Sequence, residues 1–125
     1  MDSPKKYDLK DRTAKFAQDI IVFAQKIPRT VVTMSLINQL VKSGTSIGAN
    51  YYEADDAESS SDFQHKIKIS KKEANETKYW LQIVITAVPE LEKEARVLWQ
   101  EAKELHLIFN AIIHKIKNKK LDQLE

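Results

Sequence analysis

Apolar and small residues along this chain recur at steps of three and four, the spacing that stacks side chains on one face of an α-helix. Leu9, Thr13, Phe16, Ile20, Phe23 and Ile27 form the first such stripe. Ile37, Leu40, Gly44, Ile47, Tyr51 and Ala54 form the second. Phe63, Ile67, Ser70, Ala74, Thr77, Leu81, Val84 and Val88 form the third. The fourth holds Leu91, Ala95, Leu98, Ala102, Leu105, Phe109, Ile112 and Ile116. The stripes predict helices over residues 9–27, 31–57, 62–88 and 89–119, in one bundle across 9–120, with 1–8 and 121–125 as flexible ends.

Local signals support these ends. Asp8, followed three residues on by Asp11, suits the N-cap of the first helix, where carboxylates face unpaired amides and the positive end of the helix dipole. Pro28 disfavours helical geometry at Ile27 and closes that helix. Thr30 is placed to cap the second helix, and Ser61 with Gln64 reads as a capping box for the third. Pro89 suits the first turn of the fourth, where its missing N–H is no loss. Connections this short leave no room for a crossover, so the expected fold is an all-α, up-down-up-down antiparallel four-helix bundle.

One segment resists local reading. Lys42-Ser43-Gly44-Thr45-Ser46 has the composition of a loop, and glycine within a helix costs about 1 kcal/mol relative to alanine. The apolar phase nevertheless runs from Leu40 through Gly44 and Ile47 to Tyr51 without a slip. A continuous helix is therefore expected, with Gly44 and Gly48 allowing a neighbouring helix to approach closely.

Composition narrows the setting. With 42% hydrophobic and 30% charged residues the chain is apolar enough to fold, and only two glycines and three prolines leave little material for the turns of a sheet. It has no cysteine, which excludes disulfides and thiolate chemistry and suits a reducing compartment. Residues 1–7 carry no apolar secretory stretch, and the longest apolar runs, about ten residues, fall short of the roughly 20 needed to span a bilayer. A cytoplasmic address is expected.

The net charge of +2 is modest, but its distribution is uneven. Glu53, Asp55, Asp56, Glu58 and Asp62 make an acidic stretch, whereas Lys66, Lys68, Lys71 and Lys72 form one basic cluster and Lys115, Lys117, Lys119 and Lys120 another. Two readings stand for the lysines: solvated helix faces, or a surface that binds a polyanion.

Two segments, 79–88 and 105–113, are apolar almost all round. A bundle helix needs only one apolar stripe, so a second face to cover implies self-association, with Trp80, Ile83, Trp99, Leu107 and Ile108 as interface positions. The alternative is a broad core that these residues wrap. Chemistry is sparse. His106, Asn110 and His114 share a ridge without a carboxylate at metal-ligand spacing, and Asp62-Phe63-Gln64-His65 is a helix start, not a di-metal motif. Neither a phosphate loop nor a nucleophile elbow occurs. Glu53 with Glu76 could form an acid–base pair, but Ser43, Ser46, Asn50, Glu53, Glu76 and Thr77 read first as polar groups beside a helix seam that fix register. No cofactor, metal or catalytic residue is expected.

The run from Leu40 to Ala54, with Ser43, Ser46-Ile47, Ala49-Asn50 and Glu53 at its heart, resembles the signature of the bacterial 23S rRNA-intervening-sequence proteins. Ser59 to Ser61, Phe63, and Ala74-Asn75-Glu76-Thr77 with Leu81 are similar to that family's next segments. Lys42 stands where arginine is common, and Ala54 where glycine is common, which suggests a helix that runs on past Glu53. The resemblance implies a small bundle assembled as a ring-like homopentamer, without established enzymatic activity. It also implies kinship with the pentameric accessory proteins of diversity-generating retroelements, which use a basic surface to bind nucleic acid and a reverse transcriptase. The expected function is thus an oligomeric binding or scaffold protein engaging RNA or DNA through the eight lysines above. The alternative is a module whose ligand is another protein's helix.

Overall fold

The structure, a computed structural model, describes residues 8–124. It is all-helical: among the described residues there are four α-helices and no strand. They are α1 (Leu9–Gln25), α2 (Val31–Asp55), α3 (Ser60–Ala87) and α4 (Glu92–Leu124), with a short 3-10 turn, Pro89–Leu91, leading into α4.

Each start has a visible cause. An Asp8 carboxylate oxygen accepts from the Asp11 amide at 3.3 Å, and Arg12 N–H reaches the Asp8 carbonyl. Thr30 and Thr33 cap α2 reciprocally, each hydroxyl accepting from the other's backbone amide. For α3 the cap is Ser59, whose Oγ accepts from the Asp62 amide at 3.0 Å, and not Ser61 with Gln64. Three consecutive serines offer interchangeable caps, and the extended backbone of Ser59 selects the first. Pro89 opens the 3-10 turn, so α4 proper begins three residues later than expected. At the other end α4 continues to Leu124, so residues 121–124, expected as a flexible end, are helical. Residues 1–7 lie outside the described residues.

The helix α2 is continuous through Gly44 and Gly48, both buried. A Cβ on Gly44 would lie 2.9 Å from two side-chain carbons of Ile20, and one on Gly48 would lie 3.1–3.3 Å from Thr13. The glycines thus let α1 and α2 meet almost backbone to backbone. The core follows the four stripes, with Phe16, Ile20, Leu40, Ile47, Ile67, Leu81, Leu105 and Phe109 almost wholly buried. Near the end of α4 the buried residue is Ile113, with Ile112 only half-buried. This is the drift of an α-helix, with 3.6 residues per turn, away from a repeat of 3.5.

Cross-helix contacts set the order of packing. Lys10 at the start of α1 pairs with Asp55 at the end of α2, and Ser70 Oγ of α3 donates to the Ile47 carbonyl of α2 at 2.9 Å. His106 of α4 meets the Lys71 carbonyl, and Lys120 donates to Gln64. Lys26, just past α1, pairs with Glu94. The helix α3 packs extensively on both α2 and α4, whereas α1 packs on α2 and only sparsely on α4. No helix among the described residues is long and apolar enough to cross a membrane.

Candidate functional site

Helical phase sends each lysine of the two basic clusters to a definite flank. In α3, Lys68, Lys71 and Lys72 lie on the side facing α4, and Lys117 of α4 faces them. With Asn75, His106 and the buried Ile113 they line one groove of about 290 Å³ between the two helices. No carboxylate takes part in its lining, and among the described residues none of these four lysines is in an ion pair. The other four go elsewhere. Lys66 turns the opposite way and pairs with Glu53 of α2. Lys119 and Lys120 border a separate groove of about 550 Å³ that includes Glu58. Lys115 lies on the far side of α4, beside Arg12 and Ile108. The eight lysines are therefore not one surface; four of them are.

Two further lysines belong to this face. Lys78 and Lys103 place their ammonium groups 5.5 and 5.7 Å from the ring centroid of the half-buried Trp99, at the same α3–α4 seam. The sequence carried a signal for both: Lys78 follows Lys71 by seven residues, and Lys103 follows Trp99 by four. They escape notice because they stand apart from the dense lysine runs.

Most of the polar family-type residues bond within their own helix. Ser43 is buried and its Oγ donates to the Leu40 carbonyl, while Ser46 and Thr77 donate to the carbonyls four residues before them. Asn50 Nδ2 donates to the Ser46 carbonyl at 2.8 Å. Glu76 accepts from the Trp80 indole N–H at 3.0 Å, and Glu53 is exposed beside Lys66, so these carboxylates serve different partners. Glu73, one turn from Glu76, is held above the usual carboxylate range by partial burial and by the Glu76 charge. No buried side-chain nitrogen or oxygen among the described residues lacks a hydrogen-bond partner, and no group of three or more His, Asp or Glu is placed to hold a metal ion.

The five apolar positions expected at an interface fall on different faces. Trp80 and Ile83 share the flank of α3 that carries Glu76 and faces α2, and Trp80, Trp99 and Ile108 all pack against the core. Ile108 lines an apolar groove of about 630 Å³ between α1 and α4, and only Leu107 is well exposed, at 53%. Exposed apolar side chains occur on all four helices: Tyr79 of α3 and Val97, Leu107 and Leu121 of α4, but also Ile21, Val22, Val31, Val32 and Met34 of α1 and α2, with Val31 at 95%. The two neighbours of α3 cover its apolar circumference only in part, leaving Tyr79 exposed and Trp80, Ile83 and Ile85 half-buried.

This all-α chain of four packed helices belongs to the class of small helical proteins. More particularly, it belongs to the family described as 23S rRNA-intervening sequence proteins, whose model matches residues 5–111. A solved structure from Bacteroides thetaiotaomicron, a protein of unknown function from the S23 ribosomal protein family, is 33% identical with a TM-score of 0.74. The match covers 83% of this chain and 96% of that one. None of the curated proteins matches the chain.

Proposed function

We propose that this chain is a self-associating, up-down-up-down four-helix bundle of the cytoplasm that binds nucleic acid along its α3–α4 face. The observation that carries this reading is the meeting of Lys68, Lys71 and Lys72 with Lys117 in one groove free of carboxylates. Ammonium groups that neutralise phosphates release condensed counterions, so such a face binds RNA or DNA strongly at low salt and weakly at high salt. Assembly as a ring, as in the homopentamers that the family resemblance implies, would present one such face per subunit and multiply weak contacts through avidity. Kinship with the accessory proteins of diversity-generating retroelements is part of this reading. Catalysis is not, because Glu53 and Glu76, the one carboxylate pair suggested, are engaged separately.

Fluorescence anisotropy with labelled RNA and DNA oligonucleotides at rising salt tests the proposal. Affinity should fall linearly on a log–log plot, and Lys71→Ala and Lys117→Ala should each lower the slope by about 1. Absence of binding at low salt would discard it. The groove between α1 and α4 favours a second reading, in which Leu9, Ile108 and Ile112 receive the apolar face of another protein's helix. Ile108→Asp should then abolish capture of that partner and leave oligonucleotide binding unchanged.

A further inference from the structure

The basic groove is one end of a longer track. On α4, Trp99, Lys103, His106, Asn110, Ile113 and Lys117 follow one another at alternating steps of four and three, and so share a flank. On α3, Lys68, Lys71, Asn75 and Lys78 do the same. The two ridges line opposite banks of one seam, tied where Lys71 meets His106 and where Lys78 meets Trp99. From Trp99 to Lys117 the seam runs roughly 27 Å at about 1.5 Å per residue. Lysines are spread along that length, and a half-buried indole flanked by two of them stands at one end.

An indole between ammonium groups offers nucleic acid two kinds of contact. The lysines address phosphates, and an aromatic face offers a base a stacking partner whatever its identity. A duplex hides its base faces except at its ends, so it would touch the lysines and leave Trp99 unused. An unpaired strand can use both. Lys78 and Lys103 are long and unbranched, so their ammonium groups can leave the ring for a phosphate when a base takes the face.

We infer that the α3–α4 seam is a track for single-stranded nucleic acid, with Trp99 as the platform on which a base stacks and Lys78, Lys103, Lys71 and Lys117 as phosphate contacts. This rests on the nucleic-acid reading above and adds the form of the strand and the residue that senses it. The chain has two tryptophans, so Trp80→Phe leaves Trp99 as the sole indole reporter.

The test titrates the full-length Trp80→Phe protein at low salt with an oligothymidylate and with a hairpin-closed duplex of matched charge. The strand should quench Trp99 emission and the duplex should not. In the wild-type background, Trp99→Leu, which keeps an apolar side chain against the core, should weaken strand binding roughly 5- to 100-fold and leave duplex binding within about twofold, while Trp99→Phe retains most of the affinity. Melting curves check that the variants fold; if Trp99→Leu does not, Trp99→Phe and the quenching decide. Binding of both forms with no quenching, or an unchanged strand affinity in Trp99→Leu, would overturn the track and leave the basic groove standing. No binding of either form would overturn both.

Discussion

Gly44 shows how one missing side chain organises a contact. Alanine at this position would favour the helix by about 1 kcal/mol, but its Cβ would press on the stiff, β-branched Ile20 at 2.9 Å, and overpacking costs about 1–3 kcal/mol. Gly44→Ala is therefore expected to lower stability in chemical denaturation, against the gain that helix propensity alone would give. Gly48→Ala should cost less, because its contacts with Thr13 begin at 3.1 Å. Ser70 makes a buried cross-helix bond to the Ile47 carbonyl, so Ser70→Ala should cost about 1 kcal/mol. At Glu73 burial and the Glu76 charge raise the carboxyl's pKa in the folded chain. A raised carboxylate pKa contributes stability in acid that is lost as pH rises through the folded value. Glu73→Gln should thus match the wild type in acid and become more stable than it above the carboxylate range, as urea midpoints across pH will show. The glycine contact was legible as a stripe that kept its phase; the Glu73 environment was not, since it depends on which flank of α3 faces α2.

At the scale of elements the helices hold together unequally. The sparse contact between α1 and α4 is bridged by Arg12, whose Nε and Nη2 donate to Glu101 at 2.7 and 2.9 Å while Nη2 also reaches Glu104. Lysine at position 12 keeps the charge and loses the two-pronged geometry. Arg12→Lys should cost about 0.5–1 kcal/mol, the low end reflecting partial exposure. It should also speed amide exchange in α1 more than in α3. Nothing in the sequence marks this pair, because 89 residues separate Arg12 from Glu101. The apolar surround of α3 is divided only by packing: counting apolar residues shows that a helix must be covered, but not which of them its neighbours in the bundle reach.

For the whole molecule, exposed apolar residues lie where the stripes did not direct attention. Val22 of α1 and Val97 of α4 border the same groove of about 260 Å³ and are 54% and 68% exposed. If subunits associate through this end, native mass measurement should exceed the 14.4 kDa of one chain, and Val97→Glu should shift the population towards it. Trp80→Phe should leave the mass unchanged, since Trp80 is already packed against its own core. The lysine face and the proposed assembly are separable by salt, which weakens phosphate contacts and strengthens apolar ones.

The sequence by itself determined four helices, their approximate ends, the unbroken passage of α2 through its glycines and the family to which the chain belongs. Each of these rests on information within a few residues, namely periodicity, caps and a contiguous motif. Only the tertiary structure decided that Lys68, Lys71, Lys72 and Lys117 share a groove, that Lys66 and Lys115 do not, and that Trp99 stands at its end. Those facts depend on the rotation of each helix about its axis and on which neighbour it meets. A shift of one residue turns a helix side chain by about 100°, so proximity in sequence left the face undecided until the helices were packed.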